Sequence, residues 1–153
     1  MLRIMLLVFA LFLSPGIAHS EDIGCVDSSF NLIGPDHKIC VEVFDDPLVS
    51  GVSCHLSRAR KGGLSGWMGL ATDTSDASIA CRQVGEITLP RDLKQGESVF
   101  KKSTSILFKT MQVVRFFDKK RNVLIYLVYS DQLIDGSPKN SVSTVPLTVW
   151  IKN

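Results

Sequence analysis

His37 is the residue best placed, by type and spacing, to do chemistry in this chain. Asp36 precedes it, and Asp45-Asp46 follow the β-branched run at residues 39–44. An imidazole among carboxylates can ligate a metal or work as an acid/base pair near neutral pH. A strand over 39–44 would hold those acids about 17 Å from His37, so one shared site requires the backbone to fold back. His37, Asp36, Asp45 and Asp46 therefore stand as a weak metal set, and turn capping around Gly34-Pro35 is the plainer role. His55 alternates with Cys54 and Leu56 and reads as a surface strand residue. Asp73-Thr74-Ser75-Asp76 offers carboxylate oxygens to calcium but lacks the longer Asp-x-Asp-x-Asp-Gly ladder. An Asx-turn or a helix cap near Ser75 explains it more simply.

Nucleophilic catalysis has no motif here. There is no Gly-x-Ser-x-Gly, and the glycine-rich stretch at residues 62–69 lacks the Lys-Ser/Thr of a phosphate loop. The four cysteines, Cys25, Cys40, Cys54 and Cys81, are widely spaced and contain no Cys-x-x-Cys. That spacing favours disulfides over a redox dithiol or a thiolate zinc site. Strand parity selects among the possible pairings. Cys54 shares a face with Val52 and Leu56, and Cys81 with Ile79, so both point inward and suit a buried bridge. Cys40 lies beside Glu42, opposite Ile39, Val41 and Val43, on what reads as the more polar face. Pairing it with Cys25 gives a surface staple across the first hairpin, and each loop closure contributes about 3 kcal/mol.

Arg115 interrupts a strand that is otherwise apolar on both faces. A buried guanidinium there requires a carboxylate, and Asp131 or Asp76 is the expected partner. The other polar positions carried as ligand-contact candidates are Arg58, Asp73, Asp76, Lys139 and Asn140, together with Arg115 itself. Trp67 joins them from the glycine-rich segment at residues 61–76, with a core plug as its competing role.

The elements that must position these residues begin with a leader. Residues 1–20 combine Arg3, an apolar run over 4–13, the breaker Ser14-Pro15-Gly16, and small residues at Ala18 and Ser20. This reads as a secretory signal peptide cut before Glu21 and too short for a permanent bilayer span. Residues 21–153 are then the size of one domain. The whole chain has 17 basic and 15 acidic side chains, so losing Arg3 leaves 16 against 15. Nucleic-acid binders show a larger, clustered basic excess, which excludes that class. The runs at residues 58–61 and 119–121 sit at turns and read as solvated charge.

Strands are expected over residues 23–33, 39–44, 52–58, 78–84, 86–89 and 98–102. The strongest signal is an antiparallel hairpin, residues 105–117 and 123–129 around the polar loop Asp118-Lys-Lys-Arg-Asn122. Its apolar residues occupy both faces, so it should be central and covered on both sides. Residues 145–151 are read as a last strand, with Pro146 favouring a sheet edge. The class is mainly β: an antiparallel sandwich or barrel-like single domain with one glycine-rich excursion and little helix.

Several motifs taken together resemble the CreA family. They are Ile33-Gly-Pro-Asp-His-Lys-Ile39, Phe44-Asp-Asp-Pro47, Ser57-Arg-Ala59 with Gly62-Gly63, and Asp73-Thr-Ser-Asp-Ala77. Gln83-Val-Gly85, Gln112-Val-Val-Arg-Phe116, Arg121-Asn122, Tyr129-Ser-Asp131 and Gly136-Ser-Pro-Lys-Asn140 extend the likeness across the chain. Cys54 and Cys81 fall within the pattern; Cys25 and Cys40 lie outside it and rest on parity alone. The resemblance implies a small exported bacterial protein, periplasmic in a Gram-negative cell, and brings no established activity, ligand, cofactor or catalytic residue. The expected role is non-enzymatic binding to an envelope protein, peptide or glycan. The competing classes are a metal-assisted or acid/base hydrolase of an envelope component using His37, and an inhibitor of a secreted enzyme.

Overall fold

A computed structural model of the chain describes residues 18–29, 37–61, 77–103, 110–131 and 139–151. Strands β1 (Glu21–Ser29), β2 (His37–Asp45), β3 (Ser50–Lys61) and β4 (Ala77–Thr88) form one sheet in that order. Strands β5 (Glu97–Ser103), β6 (Thr110–Asp118), β7 (Val123–Asp131) and β8 (Asn140–Pro146) form the other. Every neighbouring pair is antiparallel, so the fold is two meanders facing one another, an all-β sandwich. No helix occurs among the described residues.

Alternation of side chains builds the interior. Leu124, Tyr126, Val128 and Ser130 of β7 are buried while the residues between them are half-buried. Leu124, Tyr126 and Val128 meet Val52, Cys54 and Leu56 of β3, Ile79 and Cys81 of β4, and Val99 and Phe100 of β5 in one apolar core. Phe44 and Phe100 stack across it with ring centroids 4.6 Å apart. Gly51, at φ 78°, sits at the irregularity between Ser50 and Val52. A side chain there would collide with the Glu86 carbonyl, so the close approach of β3 and β4 requires glycine.

The hairpin at residues 110–131 is central in its sheet, turning through Asn122 at φ 55°, a conformation asparagine tolerates. Its two faces differ, however. Met111, Val113 and Arg115 are buried against the opposite sheet, whereas Ile125 and Leu127 on the outer face are only half-buried and Phe116 is exposed. The expectation of cover on both faces is corrected accordingly. β4 runs unbroken through Gly85 where two strands were expected. The last strand is Asn140–Pro146 rather than 145–151, because Pro146 ends the ladder with β7 by lacking a donor. It is an edge, as the proline implied.

Strand β2 inverts the expected parity. Cys40, Glu42 and Phe44 point inward, and Ile39 is exposed. Apolar alternation in β2 misleads because Glu42 is neutralised by Arg58 of the neighbouring β3 and Lys102 of the opposite sheet, which makes its burial tolerable. The disulfides are Cys25–Cys40 and Cys54–Cys81, each joining directly opposed residues of adjacent strands. Cys54 and Cys81 are both buried. The other bridge has one wet end, since Cys25 lies on β1, whose residues 21–28 are all exposed.

The two ends of the sandwich are unlike. Register pairs Ser29 with His37, His37 with Lys61, Arg58 with Ala77, Ser103 with Thr110, and Tyr129 with Asn140. The connections at 30–36, 62–76, 104–109 and 132–138 therefore all join strands at one end. Ala77 and Ser78 lie with Asn140 and Ser141 around a single cleft there, which fixes the two sheets' ends to the same side. The opposite end carries residues 46–49, 89–96 and 119–122.

Candidate functional site

The interior near the four-connection end holds a charged cluster around Glu42, whose side chain is buried. Strand β2 points Glu42 inward, and β3 places Arg58 and Arg60 on the same inner face two residues apart. Arg58 Nε donates to Glu42 Oε1 at 2.8 Å. Lys102 of β5 reaches across from the other sheet to Glu42 Oε2, and its Nζ also lies 3.3 Å from Ser20 Oγ. Arg60 Nη2 lies 3.8 Å from Glu42 Oε2 and 2.6 Å from Asp22 Oδ1. Burial pushes the Glu42 carboxyl up, but hydrogen bonds from Lys102 and Arg58 outweigh it and hold the group below the ordinary carboxylate range. Asp22 is held low as well, chiefly by its hydrogen bond from Arg60, which is itself raised by that contact. Three cations face two carboxylates, so the cluster keeps one net positive charge.

Arg58 also forms part of the wall of a cleft of about 450 Å³. Ser57, Ser78, Asn140 and Ser141 contribute hydroxyl and amide groups, and Ile39, Ala59 and Ala77 complete the wall. The cleft opens where β4 begins at Ala77 while β3 continues to Lys61. A guanidinium, three hydroxyls and an amide around a cavity of small-molecule size can hold a polar ligand by directed hydrogen bonds.

Comparison with known proteins decides the family. The model described as "CreA protein" matches residues 23–150. The chain belongs to the CreA family. It is 55% identical over 150 residues to "Protein CreA" of Escherichia coli strain K12, covering 95% of this chain and 96% of that protein. "Protein CreA" of Escherichia coli O157:H7 matches with the same identity and coverage. No solved structure matches the chain.

In this CreA-family chain the expected site residues separate between the two ends. Arg58 and Asn140 come together at the cleft, and Lys139 lies half-buried next to Asn140. Asp36, Trp67, Asp73 and Asp76 lie outside the described residues. His37 begins β2 and Asp45 ends it, so the strand holds them about 26 Å apart and Asp46 lies beyond. His37 and the Asp45-Asp46 pair are thus not brought together, and no metal-holding group of three acids, histidines or cysteines occurs among the described residues. His55 is exposed.

Arg115 is buried at the opposite end, and its expected partner is corrected. Its Nη1 donates to Asp46 Oδ1 and Oδ2 at 2.6 and 2.7 Å, and its Nη2 to Glu97 Oε2 at 2.7 Å. Asp131 instead accepts from Gln112, because Thr110 rather than Arg115 pairs with it across the hairpin. Asp46 further accepts from the Tyr126 hydroxyl and from the Leu48 and Val49 backbone N–H groups. Desolvation, then the Asp46 charge, pushes the Tyr126 phenol far above its ordinary range. The side chains of Arg115 and Asp46 are both fully buried, so the pair clamps the turn after β2 to the second sheet.

Sequence reasoning missed Glu42, Arg60, Lys102, Glu97 and Tyr126. One local signal existed: Arg58 and Arg60 share a strand face, and two guanidiniums on an inner face demand a buried acid.

Proposed function

We propose that this CreA-family chain is an exported, non-enzymatic binding protein of the bacterial envelope. Its partner, an envelope protein, peptide or glycan, docks at the end of the sandwich where the four long connections leave. The observation that supports this reading most is the concentration of connections and of the Arg58 cleft at one end, backed by a charged, disulfide-braced interior. Connections whose ends are anchored on a packed scaffold commonly carry binding surfaces. Trp67, Asp73 and Asp76 belong by chain position to the connection between β3 and β4, which ends at Ala77, the register partner of Arg58. Export to the periplasm rests on the leader at residues 1–20 and fits two disulfides, which persist in oxidising compartments.

A photo-crosslinking residue placed at Ser78 in the native cell tests the docking end. A discrete adduct from Ser78, absent from the same probe at Lys119 on the opposite end, is expected. Equal labelling from both positions, or none from either, overturns the reading. Cell fractionation with N-terminal sequencing tests export, with Glu21 as the expected first residue of the periplasmic form.

A further inference from the structure

We infer that Arg58 is an oxyanion anchor: its terminal amino groups hold a carboxylate or phosphate group of a ligand seated in the cleft of Ser57, Ser78, Asn140 and Ser141. This deepens the binding role proposed above and rests on it. The Arg58 side chain is only 10% exposed, yet its one ionic contact is Nε to Glu42 Oε1. Neither Nη1 nor Nη2 has a partner among the described residues, although nine-tenths of the side chain is withdrawn from water. Neither outer amino group is sealed away without a partner, so both stay open to solvent, and an oxyanion entering the cleft can accept from them without displacing a protein partner among the described residues.

Glu42 fixes the orientation of that fork. Its second oxygen is taken by Lys102 and approached by Arg60, and Asp22 occupies Arg60 in turn. No carboxylate of the cluster is left over for Arg58 Nη1 or Nη2. The cluster sums to one positive charge, so a monoanion in the cleft brings it to neutrality. A planar guanidinium binds planar or tetrahedral oxyanions through two parallel hydrogen bonds, which a lysine cannot reproduce. The Ser57, Ser78 and Ser141 hydroxyls that line the cleft then supply donors for the remaining lone pairs of the anion.

Titration of the full-length mature protein with acetate and, separately, inorganic phosphate tests the inference, followed by amide and guanidinium Nε–H NMR shifts. Saturable shifts of Arg58, Ser57, Ser78 and Ser141 are expected from at least one anion, and which anion saturates first tells carboxylate from phosphate. Arg58→Lys keeps the charge beside Glu42 and should weaken binding tenfold or more. Ala59→Trp, which fills the cleft from an exposed position without touching Glu42, should abolish saturation if Arg58→Lys fails to fold. Shifts that never saturate, or that survive Ala59→Trp unchanged, overturn the anchor. The crosslink from Ser78 reports separately: its persistence alongside a failed titration removes the anchor and leaves the docking end standing.

Discussion

Arg115 and Asp46 stand 69 positions apart in the chain, yet their side chains meet in the sealed interior, with Arg115 Nη1 2.6 Å from Asp46 Oδ1. Asp46 sits in the turn between β2 and β3, whereas Arg115 belongs to the second sheet, from which Tyr126 and Glu97 complete the contact. The pair therefore locks the sheets at the end away from the cleft.

Cutting either side of that lock should be severe. Asp46→Ala leaves the buried Arg115 guanidinium with Glu97 alone and frees two backbone donors, and a loss of about 3–5 kcal/mol is expected. Arg115→Met should cost a similar amount. Urea unfolding of both single variants and the double variant checks this, since the double should lose much less than the two losses added together. Additive losses would show that the two groups do not interact.

Glu42 makes stability depend on acid. Its carboxyl is held below its ordinary value of 4.5 in the fold, so its contribution is full above that value and is lost as pH falls through the lowered one. Glu42→Gln should destabilise the protein at pH 7 and flatten the decline on acidification. Thermal unfolding of both proteins between pH 3 and about 7 measures the difference. A variant that declines as steeply as the native chain would rule out this linkage.

The two tyrosines should titrate separately. Tyr129, half-buried at the cleft end, is raised by desolvation and by Asp131, whereas Tyr126 is raised far more. A raised phenol stabilises the fold below the ordinary tyrosine value of 10.0 and loses that contribution as pH climbs toward the folded value. Alkaline absorbance titration should show one reversible step, with the second appearing only on unfolding. Tyr126→Phe should delete the second step and leave the first.

The disulfides should differ in reactivity. A dithiol can reach the wet Cys25 end of the first bridge, while Cys54–Cys81 is enclosed in the core. Under native conditions, dithiothreitol with mass-tag counting should open two thiols, mapping to Cys25 and Cys40, well before the other two. Simultaneous opening of all four would contradict the difference in access.

Much of the scaffold could be read from local pattern. The turn at residues 119–122, the edge character of Pro146 and the inward Cys54 and Cys81 follow from composition and period alone. What escaped were the features set by distant partners. Alternation put Ile39, Val41 and Val43 inside, because nothing near Glu42 in sequence reveals the lysine at position 102 that neutralises it. Arg115 announced a buried acid, but its identity depends on how a turn between β2 and β3 packs on the second sheet. Arg58 and Asn140 were both singled out, yet their meeting at one cleft needed the facing of β4 and β8.

That facing has a mechanical consequence. Ser143 Oγ accepts from the Cys81 N–H, and Gln83 exchanges two hydrogen bonds with Thr148 just past β8, so β4 is stitched to β8 and to the segment that follows it. Among the described residues no comparable stitching joins β1 to β5. The molecule is bound like a book, with its spine at β4 and β8 and a fore-edge fastened by the Lys102–Glu42 clasp. Parting the covers must break that clasp and the Arg115–Asp46 lock, while the Cys54–Cys81 bridge keeps β3 fastened to β4 beside the spine.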